Sequence, residues 1–372
     1  MRHFPWIFLV ILNLFFLVQV CGQHQHQHHH SVHSLHGVSN NTIVGDDKGC
    51  QHTTQYVTTS IVSFPMCIGQ TNQDLKNGMS IINLIQSRGY LPTCRILQLM
   101  LWMASEVNEN QVLPREVFVD IGSNIGSCAV HMASLGFPVI AVEPVQQHVN
   151  TIKGTMELNP SFHIDLHHGG ISSVERIVKV NFGHGSRNWG ASEFHEINTT
   201  ANETYESELL VQTFDQVVNQ RRISLVKIDC EGCEWDTLKG AKRALKRIPM
   251  IKIELVQPEY TSGNETVPSA HILQFLQSNG FDLFIDRWAE NSLYFGNHGN
   301  ELLDIDKMFG STKFKIKSDR ETLYKSAKSI LESQFDASAF NRNSFLKQAT
   351  DVIAIEKSLS KRMKQKFLIV NT

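Results

Sequence analysis

The stretch VFVDIGSNIGSCAVHMASLG, residues 117–136, decides the fold class of this chain. It begins with a short apolar run over 117–121, which is typical of a buried parallel strand. A turn containing Gly122 and Gly126 follows, and apolar residues then recur at helical spacing up to Leu135. Glycines let a backbone approach a ligand closely, and a helix start offers free N–H groups. The stretch therefore predicts a strand, a ligand-binding turn and a helix.

Further strand patterns alternate with helical ones along the chain. They are PVIAVE (138–143), FHIDLHH (162–168), SLVKID (224–229), IKIELV (251–256), FDLFID (281–286) and SLYF (292–295), with RIVKVNF (176–182) as an inserted strand. Repeated βα units of this kind predict an α/β fold with a doubly wound, mostly parallel sheet. Ligands of such a sheet bind outside the carboxyl ends of its strands.

The composition narrows the class of protein. Of the 372 residues, 41% are hydrophobic and 19% are charged, which allows a large core and excludes a wholly disordered chain. The formal net charge is −2, from 34 basic and 36 acidic residues. Because a nucleic-acid binder usually carries a basic excess, no nucleic-acid partner is expected.

The first 22 residues have the features of a secretory signal. Arg2 precedes an apolar run over 4–20, and Val20 and Gly22 suit cleavage before Gln23. An uncleaved type II membrane anchor is the alternative, because about 17 apolar residues is the lower limit for crossing a bilayer. Membrane contact is expected only in that second case. In both cases the rest of the chain faces the secretory lumen or the outside.

Sequons and cysteines agree with that compartment. Four N-x-[ST] sequons occur, at Asn40, Asn198, Asn202 and Asn264. Cleavage after Gly22 leaves an even set of cysteines, namely Cys50, Cys67, Cys94, Cys128, Cys230 and Cys233. Even parity permits disulfides in an oxidising compartment, and at least one bridge is expected among the three upstream cysteines.

Four segments follow the signal. Residues 23–49 form a His-rich, low-complexity spacer, which we interpret as an unfolded linker rather than a metal site. An upstream flank covers 50–110, and the α/β domain covers 111–305. Residues 306–372 form a basic tail with 13 basic and six acidic residues after Ser311, predicted to be helical. No metal ligand is predicted in any segment.

The end of the second strand completes a predicted nucleoside site. Glu143 ends that strand, where a carboxylate can accept hydrogen bonds from both ribose hydroxyls. A dinucleotide fingerprint needs a glycine at the position of Asn124, and the Asp120 carboxylate is unfavourable beside a pyrophosphate. Asp120 suits a cation instead, such as the sulfonium and amino group of S-adenosylmethionine. The charge therefore favours this methyl donor over NAD.

A second cluster, KIDCEGCEW over 227–235, ends another core strand and opens a helix. It is expected to face the same crevice as the first turn. Asp229 or Glu231 can accept the proton of a hydroxyl that is being methylated, provided burial raises the pKa of the carboxyl. The alternative is that these carboxylates only cap the next helix.

These blocks, together with ELNP, VQTFDQVV and ILQFLQSNGF, resemble the FkbM-type methyltransferases over about 117–300. The resemblance implies a class I, Rossmann-like fold with a seven-stranded sheet, S-adenosylmethionine as methyl donor and, usually, transfer to oxygen. It also implies roles for single residues. Asp120, Gly122, Asn124 and Gly126 would hold the methionine part of the donor, Glu143 its ribose, Gly170 and Ile171 its adenine, and Asp229 and Glu231 match the acidic pair after the fourth strand.

Cys230 and Cys233 depart from the family pattern, which has small apolar residues there. We interpret them as core substitutes able to form a disulfide in the lumen. The expected function is an S-adenosylmethionine-dependent O-methyltransferase of the secretory pathway. Its expected acceptor is a sugar or glycan hydroxyl, because lumenal acceptors are rich in these groups. The alternatives are a non-catalytic binding module that keeps the methyltransferase fold and, disfavoured by Asn124 and Asp120, an NAD-dependent enzyme.

Overall fold

The structure is a computed structural model that describes residues 54–58, 63–68, 81, 85, 91–108, 116–181, 195–196, 207–255, 259–262, 265–286, 317–337 and 351–369. The predicted signal, the His-rich spacer, the four sequons and the predicted strand 292–295 lie outside these residues. None of the helices in the described part of the chain combines the length and apolar character that a membrane span needs.

The described strands and helices are labelled in chain order. The strands are β1 Thr54–Thr58, β2 Ser63–Cys67, β3 Val117–Ile121, β4 Val139–Glu143, β5 Ile164–His168, β6 Gly170–Ile171, β7 Arg176–Asn181, β8 His195–Glu196, β9 Ser207–Gln212, β10 Ile223–Ile228, β11 Met250–Glu254, β12 Glu259–Ser262, β13 Glu265–Pro268, β14 Phe281–Ile285, β15 Gln334–Phe335 and β16 Asp351–Glu356. The helices are α1 Pro92–Val107, α2 Ser127–Ser134, α3 Gln146–Leu158, α4 Phe214–Val218, α5 Glu234–Gly240, α6 Ser269–Ser278, α7 Lys317–Glu332 and α8 Lys357–Lys364, followed by a π-helical turn, Gln365–Ile369.

The main sheet has the strand order β15-β14-β16-β11-β10-β3-β4-β5 among the described residues. Neighbours from β5 to β11 run parallel, whereas β16 runs antiparallel to both β11 and β14. The mostly parallel, doubly wound sheet is as predicted. The count of seven strands is wrong, because the two-residue strand β15 adds an eighth at one edge by pairing with β14.

Helices cover both faces of this sheet. Buried side chains of α1, α2, α7 and α8 pack on one face, and those of α4, α5 and α6 pack on the other. The strands β3, β4 and β10 are buried along their whole length, which explains their continuous apolar sequences. Residues 176–181, predicted as an inserted strand, form β7 in a separate four-stranded sheet with the order β6-β9-β7-β8.

The basic segment 306–372 differs from the prediction of a helical tail outside the domain. It contains α7 and α8, but its residues 351–356 form β16, which lies inside the main sheet between β11 and β14. The apolar run Val352–Ile355 is fully buried. The periodicity of apolar residues cannot distinguish a short buried strand from a buried helix. Residues 351–356 form a strand because it pairs with the edges of both β11 and β14, which would otherwise be unpaired.

The upstream flank is joined to the domain by a disulfide. Cys94 of α1 pairs with Cys128 of α2, so a bridge among the three upstream cysteines would not involve Cys94. Cys67 is disulfide-bonded as well. The buried face of α1 packs on the same side of the sheet as α2. Helix α2, which directly follows the turn after β3, is thereby held by a covalent bond from outside the α/β domain.

Candidate functional site

The turn after β3, residues 120–126, is called the donor turn below. Three of its residues have left-handed backbone, namely Gly122 (φ +75°), Asn124 (φ +52°) and Gly126 (φ +83°). A Cβ atom on Gly122 would lie 1.8 Å from the Asp229 carbonyl oxygen, and one on Gly126 would lie 2.8 Å from the Ile152 side chain. Both glycines are therefore required by close packing as well as by conformation.

All five N–H groups of residues 122–126 donate hydrogen bonds within the protein. They reach the Val142 carbonyl (from Gly122 and Ser123, both 3.1 Å), Glu143 Oε2 (from Asn124, 2.7 Å), Asn124 Oδ1 (from Ile125, 2.7 Å) and the Ser123 carbonyl (from Gly126, 2.8 Å). A dinucleotide pyrophosphate binds to free N–H groups of such a turn. Because the N–H groups of residues 122–126 already donate within the protein, they are not free to bind a pyrophosphate, and this disfavours NAD as the ligand.

Asp120 supplies negative charge at the start of the donor turn. The residue is fully buried, its Oδ1 atom lies 3.3 Å from the Lys227 ammonium, and its Oδ2 atom has no hydrogen-bond partner among the described residues. Burial raises the pKa of this carboxyl, and the nearby Lys227 ammonium opposes the rise. A buried carboxylate with free lone pairs at a ligand turn fits a cationic ligand group such as an amino group or a sulfonium.

Glu143 lies at the carboxyl end of β4 and is joined to the donor turn. Its Oε2 atom accepts the Asn124 N–H, and its Oε1 atom accepts the Val145 N–H (2.9 Å) and lies 3.1 Å from His148 Nδ1. A carboxylate offers about four lone-pair sites, so one site is left for a ligand hydroxyl. The structure thus brings together Glu143 and the donor turn, and the ribose contact stays a prediction.

Gly170 and Ile171 form the short strand β6 beside the same strand end. The Gly169 N–H donates to the Glu143 carbonyl at 3.1 Å, which brings this segment next to β4. Ile171 is buried in the apolar cluster that includes Ile140 and Val142 of β4. An apolar surface beside the ribose-binding carboxylate is the environment that an adenine ring requires. The adenine contact itself stays a prediction.

Residues 229–233, called the acidic loop, follow β10 and lie directly against the donor turn. The Asp229 N–H donates to the Ile121 carbonyl at 3.1 Å. Glu231 and Gly232 have left-handed backbone, with φ +56° and +125°. The predicted Cys230–Cys233 disulfide is present and closes the loop.

The Glu234 carboxylate also holds the acidic loop. Its two oxygens accept the N–H groups of Cys230 (3.0 Å) and Gly232 (2.9 Å). Burial raises the pKa of this carboxyl to about 7, against the opposing effect of these hydrogen bonds. Glu234 was not predicted as a site residue. The only feature of the sequence that could have indicated its role is its position as the first residue of α5.

Lys227 joins the two turns. Its Nζ atom lies 3.3 Å from Asp120 Oδ1 and 3.1 Å from Asp229 Oδ2, and it donates to the Gly122 carbonyl at 3.1 Å. Burial alone would lower the pKa of this ammonium, but the two carboxylates raise it above its ordinary value. Lys227 is therefore a buried cation between the buried Asp120 and the partly exposed Asp229.

Glu254, at the carboxyl end of β11, is a third carboxylate of the site and was missed by the sequence reasoning. Carboxylate oxygens of Asp229, Glu231 and Glu254 lie within 4.8 Å of one another. Such acidic groups are also common without a cation, so the absence of a metal ligand stays a prediction. The position of Glu254 at a strand end, in the IKIEL block, was the available signal.

The pKa values of Asp229 and Glu254 move in opposite directions. Burial would raise the pKa of Asp229, but Lys227, a hydrogen bond from Glu254 and Lys252 lower it to about 2. Burial and the neighbouring Asp229 raise the pKa of Glu254 to about 10. Glu254 therefore carries the proton and Asp229 the charge at neutral pH. The condition set for Asp229 as a base, a pKa raised by burial, is not met.

Comparison with known proteins identifies the family. Residues 120–283 match the model of the methyltransferase FkbM domain. This part of the chain, which carries the donor turn and the acidic loop, is therefore similar to the FkbM methyltransferase domain. It is 26% identical over 197 residues to Methyltransferase 1 of Beauveria bassiana (strain ARSEF 2860), a match that covers 47% of this chain and 76% of that protein. The resemblance to FkbM-type methyltransferases that was drawn from the motifs is confirmed. This family uses S-adenosylmethionine as its methyl donor.

Solved methyltransferase structures share the fold class only distantly. Magnesium protoporphyrin IX methyltransferase (ChlM) from Synechocystis PCC 6803 is 12% identical with a TM-score of 0.30, covering 58% of this chain and 76% of that one. Precorrin-6y C5,15-methyltransferase from Geobacter metallireducens GS-15 is 13% identical with a TM-score of 0.27, covering 49% and 71%. The class I fold of this chain rests on its own sheet order and on the match to the methyltransferase domain.

Proposed function

We propose that this chain is an S-adenosylmethionine-dependent O-methyltransferase of the secretory pathway that methylates a hydroxyl of a sugar or glycan. The observation that carries the proposal is the pairing of the donor turn with the acidic loop. The turn has no free N–H among residues 122–126 for a phosphate but presents the buried Asp120 carboxylate, and three further carboxylates lie at the adjoining strand ends.

The residues present fit the donor. Asp120 would face its cationic methionine part, the backbone of Gly122, Asn124 and Gly126 would shape the floor, and Glu143 would accept from its ribose. Gly170 and Ile171 would lie against the adenine. When bound, S-adenosylmethionine supplies a methyl group bonded to a positively charged sulfur.

The acidic loop would act on the acceptor side. As the new O–C bond forms and the S–C bond breaks, the acceptor oxygen becomes positive and must lose its proton. Asp229, ionised with a pKa of about 2, is suited to orient the hydroxyl and to stabilise that positive charge. We assign the proton transfer to the Glu231 carboxylate, which would pass the proton on to water.

The acceptor and the compartment are inferred from features away from the site. The N-terminal apolar segment and the four sequons favour entry into the secretory pathway. The disulfides Cys94–Cys128 and Cys230–Cys233 agree with an oxidising environment. Glycan hydroxyls are abundant acceptors there, and carboxylates are common hydrogen-bond partners of hydroxyl groups.

The decisive experiment is incubation of the purified full chain with S-adenosylmethionine labelled in its methyl group and a panel of glycans and glycoproteins. We expect label to enter a glycan fraction in a base-stable ether linkage, with formation of S-adenosylhomocysteine. Donor binding without transfer to any acceptor would instead support the non-catalytic binding module. Affinity for NAD in place of S-adenosylmethionine would overturn the donor assignment.

A further inference from the structure

Lys227 is a buried charge for which the chemistry above has no direct use. It lies in β10 at the centre of the main sheet and is 5% exposed. Its register neighbours are Asp120 on β3 and Lys252 on β11. An uncompensated lysine at such a position would be strongly destabilising, so its partners indicate what it does.

Among the described residues, the contacts of the Lys227 ammonium go to the two turns of the site. It lies 3.3 Å from Asp120 and donates to the Gly122 carbonyl at 3.1 Å in the donor turn, and it lies 3.1 Å from Asp229 in the acidic loop. An ammonium has three N–H donors, so these three groups match its full capacity. Lys227 is therefore the side chain that bridges the two turns.

The two turns already touch through their backbones. The Asp229 N–H donates to the Ile121 carbonyl, and Gly122 packs so closely on the Asp229 carbonyl that no Cβ fits between them. This contact fixes their distance but brings two buried carboxylates together. Like charges at this separation disfavour joint ionisation unless a cation lies between them.

The charged groups around this cation come from three strands and the following helix. Asp120 projects from β3, Asp229 follows β10, Lys252 and Glu254 lie on β11, and Glu234 lies on α5 beside Asp229. Glu254 holds its proton at neutral pH, and Lys252 pairs with Asp351 and, at 3.7 Å, with Asp286. Lys227 is thus the cation that contacts both Asp120 and Asp229.

We infer that Lys227 is a positioning residue for methyl transfer: it fastens the donor turn to the acidic loop and keeps Asp120 and Asp229 ionised together. The inference rests on the proposed use of the donor turn for S-adenosylmethionine. Its consequence is that the Lys227 ammonium favours the ionised form of Asp120 against the effect of burial, so that donor affinity depends less on pH with the ammonium than without it. If Lys227 had only a structural role, its replacement would lower stability but would not change how donor affinity depends on pH.

The test measures the affinity for S-adenosylmethionine by titration calorimetry between pH 5.5 and 8.5, with the melting temperature recorded for each protein. The wild-type chain is compared with Lys227→Met, Lys227→Gln and Lys227→Arg. We expect Lys227→Met to lose about tenfold in affinity at pH 6, since a protonated carboxyl removes one anionic contact, and to regain most of it at pH 8.5. Lys227→Arg, which keeps the charge, is expected to show the shallow profile of the wild type.

Lys252→Met is the matched control, because Lys252 is 2% exposed, lies beside Lys227 in the sheet and pairs with Asp351 rather than with the donor turn. It is expected to lower the melting temperature and to steepen the pH profile less than Lys227→Met does, because Lys252 has a smaller effect than Lys227 on the pKa of Asp229. Should Lys227→Met not fold, Lys227→Gln, which can still donate to the Gly122 carbonyl, takes its place. Equal pH profiles for the wild type, for Lys227→Met or Lys227→Gln and for Lys252→Met would overturn the role of Lys227. A wild-type chain without affinity for S-adenosylmethionine would overturn the donor site itself.

Discussion

The donor turn and the acidic loop are two versions of the same element, a turn between a buried parallel strand and a helix at the carboxyl edge of one sheet. The donor turn is held by its own N–H groups and by glycines. The acidic loop is held from outside, by the Cys230–Cys233 disulfide and the Glu234 carboxylate. The donor turn is thus fixed mostly through its backbone, whereas the acidic loop depends on a disulfide and on the Glu234 carboxyl, whose pKa is about 7.

The largest expected effect comes from Gly122→Ala in the donor turn. Its new Cβ would overlap the Asp229 carbonyl at 1.8 Å, and its backbone has φ +75°. We expect loss of donor binding and a fall in unfolding free energy well above the ~1–2 kcal/mol of left-handed strain alone. Gly136→Ala is the control, since Gly136 has φ +87° but nothing within 4 Å of its Cβ position. Similar melting temperatures for the two variants would contradict the contact between the turns.

The next effect tests the acidic loop. Asp229→Asn and Glu231→Gln are each expected to lower the rate of methyl transfer by about 10²-fold or more. Asp229→Asn removes a charge that stabilises the transition state, and Glu231→Gln removes the carboxylate that accepts the proton. Donor affinity should change much less than the rate. Glu265→Gln, an exposed carboxylate paired with Lys239 at 2.8 Å, provides the comparison variant. Unchanged rates in both loop variants would remove these residues from the chemistry.

A smaller effect concerns the pH dependence of stability. The pKa of Glu254 is about 10 in the folded chain, against 4.5 ordinarily, so the folded protein keeps a proton that the unfolded chain releases above pH 4.5. Stability from this group is thus complete below pH 4.5 and declines as the pH rises toward 10. Glu254→Gln should flatten the fall in melting temperature between pH 7.5 and 9.5.

The pH window separates Glu254 from Glu234. Glu234 has a raised pKa of about 7, so its contribution to the slope is mostly complete below the window. Calorimetric scans of the wild type and Glu254→Gln at matched ionic strength provide the measurement. A slope that is equal in both proteins over pH 7.5–9.5 would show that Glu254 does not carry the shared proton.

The smallest effect separates the two disulfides. The chain-entropy relation gives about 2 kcal/mol for the short ring Cys230–Cys233 and about 4 kcal/mol for the long one, Cys94–Cys128, whose sequence separations are 3 and 34. Replacing Cys230 and Cys233 by serine should therefore cost less stability but lower methyl transfer several-fold, through disorder of the acidic loop. Serine at Cys94 and Cys128 should lower the melting temperature more and the rate less. If the Cys94 and Cys128 substitutions lowered the rate of methyl transfer more than the Cys230 and Cys233 substitutions, the short disulfide would have no special role in catalysis.

Much of the site was predictable because it lies in short, continuous motifs. Asp120 and Gly122 follow one strand directly, Asp229 follows another, and Glu143 ends a third, so the parallel sheet brings them to one edge. Glu254 and Lys227 lie in equally plain strand patterns. Their roles were not predictable, since a charge acquires its effect from neighbours on other strands and not from its own sequence.

The amino-acid sequence by itself determined the family, the strand–turn–helix units and the residues of the donor turn and acidic loop, because these depend on local spacing and on glycine conformation. Only the tertiary structure decided that residues 351–356 complete the sheet, that Cys94 bonds to Cys128, and that Asp229 rather than Glu254 carries the charge. Strand insertion, disulfide pairing and proton sharing each join residues far apart in the chain. Their energies depend on distance and burial, which exist only once the chain has folded.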